Sequence, residues 1–383
     1  MDFSWSEKQK TLRQETAAFA ASLNEDLPER ERAGRFSPEL WRRCAAFGIQ
    51  GLAAPAAWGG RWEGEVDILS SMLAMEGFGY GCRDNGLAFG LNAQMWTVQL
   101  PLVHFGTPEQ QERFLPPLVR GEWVAAHALT EPDSGSDVFS MQTVAKKCPG
   151  GYRLQGRKCL VTFAPIADLA LVFANARPEA GKWGITAFLL ERGTPGFTQG
   201  PVQEKMGLRT VPIGELFFDD CFVPEENRLG KEGAGLAISN HSLEYERCSI
   251  LASQLGAMER QLEEAVAYAR SRKQFGQPIG RFQAVAHRLA DMKLRLETAR
   301  LLLYKVAWLK QHNQNAMLEA ALLKLHLSEC FAASSLDAIR VHGGTGYLSQ
   351  TGVERDLRDA VGGLLYAGTS DIQRNIIARL LGL

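Results

Sequence analysis

The distribution of proline limits what this chain can fold into more than any other feature of its sequence. Fifteen of the 16 prolines lie at or before Pro224, the last is Pro278, and residues 281–383 contain none. Proline costs a helix interior about 3 kcal/mol, so this last stretch is free to form long helices. Its apolar residues also recur at steps of three, four and seven, which is the spacing of one helix face. We therefore predict two or three long helices between about 233 and 340.

The middle of the chain has a different pattern. Short apolar runs at 159–163, 169–173, 185–189 and 215–218 are separated by clusters of Pro, Gly and Asp. Short strands divided by turn residues are typical of an antiparallel barrel or sandwich. Before about residue 120 the start signals of helices return, because Ser37 and Thr107 each precede a proline that would occupy the first helical position.

These patterns predict an α+β fold that is mainly α, in three domains. Residues 1–121 are expected to form an N-terminal helical domain, 122–228 an antiparallel β barrel-like domain, and 229–383 a C-terminal helical domain. The 42 Lys and Arg residues nearly balance the 43 Asp and Glu residues, which excludes the broad basic surface of a nucleic-acid-binding protein. No run of about 18 apolar residues occurs, so we expect no membrane span.

The cysteines and the first residues bear on location. The seven cysteines include no Cys-x-x-Cys pair, so neither a zinc site nor another metal site is expected. An odd number of unpaired thiols in a chain of this length fits a reducing compartment. Residues 1–7 lack the basic and apolar regions of a signal peptide. We therefore expect a cytoplasmic protein.

Three segments admit both a structural and a functional interpretation. Residues 129–137 have the composition of an ordinary polar loop, but their small side chains also let backbone N–H groups approach a phosphate or a flat ring. Residues 271–279 can be a basic helix end, or can bring Arg272 to a pyrophosphate. The glycines of 343–346 are weak evidence alone, and they follow no predicted strand, so they are not a dinucleotide-binding fingerprint.

Taken in order, six segments resemble the acyl-CoA dehydrogenase family, and the resemblance covers essentially the whole chain. It implies an N-terminal helical domain, a middle β domain and a C-terminal four-helix bundle. It also implies FAD at the junction of the domains and a homo-oligomer, either a tetramer or a dimer. The matching segments are 129–137, 205–209, 222–224 with 229–230, 272–279 with 282–283, 342–347 and 368–374.

The resemblance implies roles for individual residues around FAD. Thr130 and Thr162 would hydrogen-bond the flavin ring, with Leu129 beside it, and Ser136 would lie near the pyrophosphate and the substrate arm. The other residues assigned to FAD are Thr369 and Asp371 against the cofactor, and Arg272, Phe275, Gln283, Arg340, Gly343 and Gly344 toward the FAD of a neighbouring subunit.

The chain departs from the family pattern at three positions. Leu160 and Arg340 stand where the family often has Trp and usually has Gln. An extra cation near a pyrophosphate is physically sensible, so Arg340 stays assigned to the cofactor. Ala367 stands where most of the family has the glutamate that removes the α-proton of the substrate. Alanine cannot take a proton, and on its own this favours an inactive or diverted enzyme.

Glu246 is the candidate replacement for that base. The reaction removes a proton from the α-carbon and a hydride from the β-carbon of an acyl thioester, and it needs a carboxylate that ionises near working pH in a dry cleft. A subgroup with isovaleryl- and long-chain acyl-CoA dehydrogenases has this glutamate directly before an arginine on a bundle helix, as Glu246 precedes Arg247 here. A helical glutamate is otherwise usually a solvated, ion-paired side chain, but the alanine at 367 reverses that interpretation. Glu244 would point to a different helix face.

The resemblance also indicates a substrate class. Segments 79–87, 164–168 and 367–373 resemble the secondary-metabolism branch, whose members oxidise acyl or aminoacyl groups, prolyl among them, on a carrier protein. We therefore expect FAD-dependent dehydrogenation of a short, branched or cyclic acyl or aminoacyl thioester, carrier-bound rather than CoA-bound, with a flavoprotein or oxygen as electron acceptor. The residues assigned to the substrate are Ser136, Tyr245, Arg247, Tyr366 and Ala367, the last through its backbone N–H.

Three alternatives stay open. The first is an acyl-CoA dehydrogenase of short- or branched-chain catabolism. The second is a flavin monooxygenase on the same fold, which uses oxygen after losing the base at 367. The third is a non-enzymatic oligomer that keeps FAD for stability. Glu246 argues against the second and the third.

Overall fold

The computed structural model describes residues 4–383, so the first three residues of segment 1–7, which lacks the features of a signal peptide, lie outside the described part of the chain. Helices dominate the N-terminal region, and the predicted caps form: Ser37 accepts a hydrogen bond from Leu40 N, and Thr107 forms a capping box with Gln110. The helices of this region are α1 (Glu7–Ala21), α2 (Leu27–Ala33), α3 (Pro38–Phe47), α4 (Ile68–Gly81), α5 (Asn85–Gln94), α6 (Leu100–Phe105) and α7 (Pro108–Val119).

A single eight-stranded sheet forms the middle region. Its strands follow the order β6-β7-β3-β2-β4-β5-β8, and β1 lies beside β4. The strands are β1 (Ala125–Ala128), β2 (Val144–Cys148), β3 (Gly151–Thr162), β4 (Leu169–Asn175), β5 (Ile185–Glu191), β6 (Phe197–Gln199), β7 (Ile213–Pro224) and β8 (Arg228–Leu229).

The sheet is not wholly antiparallel, which corrects that part of the prediction. The pairs β2–β3, β3–β7, β4–β5, β5–β8 and β6–β7 are antiparallel, but β4 runs parallel to β1 and to the first residue of β2. Parallel neighbours need a long connection, and Ala125 and Leu169, which pair in this register, are far apart in sequence. Nothing local to either strand indicates such a pairing. The buried run of β4 shows that both faces of the sheet are covered at this strand.

Three long helices fill the C-terminal region, in agreement with the two or three predicted between about 233 and 340. They have 37, 29 and 26 residues, and a short hairpin separates the first from the second. The elements are α8 (Gly235–Ser271), β9 (Lys273–Gln274), β10 (Gln277–Pro278), α9 (Gln283–Gln311), α10 (Met317–His342), α11 (Val353–Gly363) and α12 (Ser370–Leu380).

Helix α8 connects the two helical regions. It packs against α4 and α5 on one side and against α9 and α10 on the other. The crossing with α4 is close because both helices have a glycine there. A β-carbon at Gly79 would collide with the carbonyl oxygen of Ser253, and one at Gly256 would collide with that of Glu76. This contact fixes α8 against the N-terminal helices along the turns that follow Glu246.

Two features are absent from residues 4–383. Among these residues no helix combines the length and the apolar character that crossing a lipid bilayer requires. No three His, Cys, Asp or Glu side chains in the same range are grouped so that they could hold a metal ion.

Candidate active site

Glu246 lies in the first half of α8, and its half-buried carboxylate forms no hydrogen bond or ion pair with any residue of 4–383. Burial raises the pKa of the Glu246 carboxyl to about 7, although the cations Arg247 and Lys324 act in the opposite direction. Glu244, two residues earlier, is ion-paired with Lys310 on α9. Helix geometry thus separates the two glutamates: one has a counterion, and the other is free to accept a proton.

Ala367 lies in the segment between α11 and α12 and has a left-handed backbone, with φ at 54°. Non-glycine residues adopt this conformation at a cost, so neighbouring groups must hold it in place. The Ala367 carbonyl accepts hydrogen bonds from Gln373 Nε2 at 3.0 Å and from Arg247 Nε at 3.4 Å. Its N–H donates to none of residues 4–383. An unused, fixed N–H is the donor that a thioester oxygen needs as negative charge develops on it.

Tyr366 joins this group from the same segment. Its ring packs on Phe89 with centroids 4.8 Å apart, and its hydroxyl accepts a hydrogen bond from Gln254 Nε2. Burial and the charge of Glu246 both raise the pKa of the Tyr366 phenol, so the phenol stays neutral. Gly363 leaves room for this contact, because a β-carbon there would lie 3.2 Å from Gln254 Nε2. The structure thus brings Glu246, Tyr366 and the Ala367 backbone to one site.

Tyr245 is directed elsewhere. Its buried ring stacks on Trp96 and lies 4.9 Å from the ring of His241, and Lys310 Nζ lies 4.8 Å from its centroid. Burial lowers the pKa of His241 to about 4, so this cluster is neutral apart from the Glu244–Lys310 pair beside it. The structure does not show Tyr245 packed with Tyr366, and its role in substrate binding remains a prediction.

Three residues of the site were not identified from the sequence: Lys324, Gln254 and Phe89. For Lys324, the sequence does contain a signal. It follows Ala320 by four residues and precedes Leu327 by three, so a charged residue occupies the apolar face of a predicted helix. Gln254 and Phe89 have ordinary helical neighbours, and only the tertiary packing brings them to Tyr366.

Thr130 and Thr162 have free side chains. Neither hydroxyl forms a hydrogen bond with any of residues 4–383, while Cys159 N donates to Thr130 O at 3.0 Å and links the segment after β1 to β3. Leu160, between them, has φ at 52° and is 64% exposed, at a point where the register between β3 and β7 shifts. Two free hydroxyls close to one β-bulge fit the hydrogen-bonding needs of a flavin ring.

A buried ion pair fixes the backbone at Leu129. Lys158 Nζ donates to Leu129 O at 3.0 Å and to Glu131 Oε1 at 2.6 Å, and both charged side chains are almost fully buried. Burial alone would raise the pKa of the Glu131 carboxyl, but Lys158 lowers it below its usual value. The Glu131 carboxylate also accepts a hydrogen bond from Thr143 N at 3.0 Å. This pair therefore holds the chain on either side of Thr130 in one conformation.

The remaining residues assigned to the cofactor near this site are less enclosed. Ser136 is exposed, and a β-carbon at the neighbouring Gly135 would meet no atom within 4 Å. Thr369 accepts a hydrogen bond from Ile372 N at 3.2 Å as the cap of α12, which leaves its hydroxyl proton available. Asp371 is exposed in the first turn of the same helix. These positions are open to a ligand, and their roles remain predictions.

A second group of assigned residues lies far from Glu246. Arg272 follows α8 directly and is 26 residues beyond Glu246, which is about 39 Å along a helix at 1.5 Å per residue. Phe275, at the tip of the β9–β10 hairpin, is 93% exposed. Gln283, Gly343 and Gly344 are also exposed. One chain cannot bring this group to its own Glu246, so any shared cofactor would have to belong to a neighbouring copy.

Arg340 belongs to a cationic cluster on α9 and α10. Asp337 accepts hydrogen bonds from Arg288, Arg295 and Arg340 at 3.0, 2.8 and 3.2 Å. Three guanidinium groups share one carboxylate, so the cluster has an excess of two positive charges. A pyrophosphate is the kind of ligand that such an excess would bind. The free hydroxyls near β3 suit a flavin ring and this cluster suits a pyrophosphate, which are two chemically different parts of FAD.

We expect Arg340→Gln to weaken FAD binding, because the change removes one of the cations that would face the pyrophosphate. The loss of affinity should be about tenfold, as for one charge-assisted hydrogen bond. FAD release from the purified protein, followed by the rise of free-flavin fluorescence on dilution, measures it. Lys293→Gln, which removes an exposed cation on α9 paired with Glu297, is the matched control. Equal FAD affinity in both variants would exclude Arg340 from the cofactor site.

The chain matches three family models along its length. They are the N-terminal, middle and C-terminal domains of acyl-CoA dehydrogenase, over residues 6–122, 126–221 and 233–382. An L-prolyl-[peptidyl-carrier protein] dehydrogenase of Pseudomonas fluorescens is 42% identical over the full length of both chains.

Two solved structures are also similar. The prolyl acyl carrier protein oxidase AnaB is 49% identical, with a TM-score of 0.97 over 99% of this chain and 100% of that one. PigA, solved with FAD and proline, is 40% identical, with a TM-score of 0.97 over the full length of both chains.

Proposed function

The chain belongs to the acyl-CoA dehydrogenase family, and from this premise we propose that it is an FAD-dependent dehydrogenase of prolyl groups held as thioesters on a carrier protein. The observation that carries the proposal is the unpaired carboxylate of Glu246, whose charge acts on Tyr366, together with the unused N–H of the next residue, Ala367. A proton acceptor and an oxyanion donor are the two groups that removal of an α-proton from a thioester requires. Their presence argues against an inactive protein or an oxygenase without a base.

Each residue of the site has a distinct task in this proposal. FAD, when bound, supplies the acceptor for the β-hydride. Glu246 takes the α-proton, and its raised pKa matches a base that must both accept and later release a proton near neutral pH. The Ala367 N–H stabilises the negative charge that grows on the thioester oxygen. Tyr366 and Phe89 enclose the site and limit the entry of water.

The prolyl substrate is proposed from the relatives, two of which are described as acting on prolyl groups bound to carrier proteins. A carrier protein and CoA present the same phosphopantetheine thioester, so the residues that perform the reaction need not differ between them. Dehydrogenation of a short- or branched-chain acyl-CoA stays as the alternative, because the matching family models are those of acyl-CoA dehydrogenases.

Three further properties are part of the proposal. The assigned residues beyond the end of α8 lie too far from Glu246 to serve the same FAD, which supports a homo-oligomer, either a dimer or a tetramer. The electron acceptor is a flavoprotein or oxygen, and turnover with and without oxygen distinguishes the two. All seven cysteines are free, which supports the expected cytoplasmic location.

Anaerobic bleaching of the flavin tests the proposed substrate. Prolyl and isovaleryl groups would each be offered on a carrier protein and on CoA, with the free carrier as the control. We expect rapid bleaching by the prolyl carrier protein and little by the CoA thioesters. Bleaching by isovaleryl-CoA alone would assign the enzyme to acyl-CoA catabolism. No bleaching by any thioester would overturn the proposed dehydrogenation.

The pH dependence of that bleaching follows from Glu246. Its folded pKa is raised to about 7, and only the ionised form can accept the α-proton. We therefore expect the rate constant of flavin reduction to rise with pH through about 7 and to level off above it. Stopped-flow measurements at fixed ionic strength check this, and a rate that falls as pH rises over the same range would contradict it.

A further inference from the structure

Lys324 is a fully buried lysine whose ammonium group has no hydrogen-bond partner. Its side chain is 0% exposed, and no acceptor among residues 4–383 lies within hydrogen-bonding distance of Nζ. Burial, reinforced by the charge of Arg247, lowers the pKa of Lys324 to about 8. A buried ammonium without a partner is costly to a fold, so a structural reason for this residue would be visible as a hydrogen bond.

Lys158 shows what a structural buried lysine looks like in this protein. It is equally buried, but it donates to Leu129 O and to the Glu131 carboxylate. Lys324 makes neither kind of contact, and it does not form an ion pair with Glu246. Its ammonium is therefore a charge without a dedicated counterion.

Lys324 is brought to the active site by the packing of α10 on α8. One turn further along α10, Ser328 lies against Gly363, which in turn lies against Gln254 and Tyr366. The charges of Lys324 and Glu246 each shift the pKa of the other. The ammonium therefore acts on the carboxylate through its charge, without a hydrogen bond between them.

The titratable and charged groups around Glu246 come from α8, α9, α10, α11 and the segment before α12. Arg247 on α8 and Lys324 on α10 act on it directly, and Tyr366 lies beside it in the segment before α12. The more distant groups are Glu244 on α8, which is paired with Lys310, Glu329 on α10 and Asp359 on α11. The first group thus has two cations and one carboxylate, and Arg247 already donates to the Ala367 carbonyl.

We propose that Lys324 is a positioning residue for the base, a fixed cation that keeps Glu246 ionised when the substrate enters. A bound thioester would complete the burial of the half-buried carboxylate, and further loss of solvent disfavours the charged form. A cation without its own counterion offsets this loss. In the step itself the α-proton moves from the substrate carbon to a Glu246 oxygen, and Lys324 neither gives nor takes a proton.

This inference rests on the proposed function, and the substitution Lys324→Met tests it. Removal of the cation raises the pKa of Glu246. The rising limb of the pH profile of the flavin-reduction rate constant should therefore move to higher pH by about one unit. The rate near pH 7 should fall by up to about tenfold and recover at higher pH. Lys324→Arg should keep the wild-type limb, because it keeps the charge.

Lys310→Met combined with Glu244→Gln is the matched control, since it removes a largely buried lysine near this part of α8 together with the carboxylate that neutralises it. It should leave the midpoint of the limb unchanged. Lys324→Gln is a second neutral variant, to be used if the methionine variant does not bind FAD. The inference would be overturned by a neutral variant that binds FAD and whose flavin is reduced more slowly by the same factor at every pH. In that case the midpoint of the pH profile would not have moved. Failure of the wild-type protein to reduce its flavin would instead overturn the proposed function.

Discussion

Replacement of Glu246 by Gln is expected to leave FAD bound but to slow flavin reduction by the prolyl carrier protein by at least about 100-fold, the usual contribution of a positioned general base. Glutamine has the same shape but cannot accept the α-proton. The fold should tolerate the change, because the Glu246 carboxylate has no hydrogen bond or ion pair with residues 4–383 to lose. Anaerobic stopped-flow absorbance measures the reduction, and the flavin content of the purified protein reports FAD binding.

Glu244→Gln is the control for that experiment. It is the same substitution two residues away on α8, and it removes a carboxylate that is occupied by Lys310. We expect it to affect stability more than the rate of reduction. Near-normal reduction by the Glu246→Gln protein would remove Glu246 from the mechanism and reopen the question of what replaces the missing base at position 367.

The largest effect on stability is expected from Lys158→Met. The change leaves the Glu131 carboxylate buried without its counterion, and breaking a buried ion pair in this way costs about 3–5 kcal/mol. It also frees the Leu129 carbonyl that Lys158 holds at 3.0 Å. We therefore expect both a lower free energy of unfolding and weaker FAD binding, measured by urea denaturation and by flavin release.

The double variant Lys158→Met with Glu131→Gln separates charge from packing in that result. Glutamine keeps an acceptor for Thr143 N but has no charge to leave uncompensated. The double variant should regain part of the stability that the single variant loses. If the two variants are equally unstable, the charge of Glu131 is not the cause, and the packing of the lysine side chain is.

Proline placement and helical periodicity were sufficient to predict the three regions and the long helices of the C-terminal one. They could not predict the parallel pairing of β1 with β4, because that contact depends on where the chain returns after β3. Glu246 was identified through the family resemblance and the alanine at 367. The absence of an ion pair at Glu246 could not be predicted from the sequence. It depends on Lys310 of α9, which pairs with Glu244, and on Lys324 of α10, and both are more than 60 residues away.

The backbone of the site was also beyond prediction from sequence. The left-handed conformation of Ala367 is imposed by Gln373 and Arg247, and nothing in the residue type indicates it. The same holds for the surroundings of Tyr245, which the sequence analysis assigns to the substrate. Successive residues of a helix point about 100° apart, and its ring packs with Trp96 and His241.

The central claim is that Glu246 removes the α-proton of a carrier-bound prolyl group as the flavin is reduced. The most direct test compares anaerobic single-turnover reduction by prolyl carrier protein with hydrogen or with deuterium at the α-carbon. The account predicts slower reduction by the deuterated substrate in the wild-type protein and almost none by either substrate in the Glu246→Gln protein. Equally fast reduction by both substrates, undiminished in the Glu246→Gln protein, would contradict it.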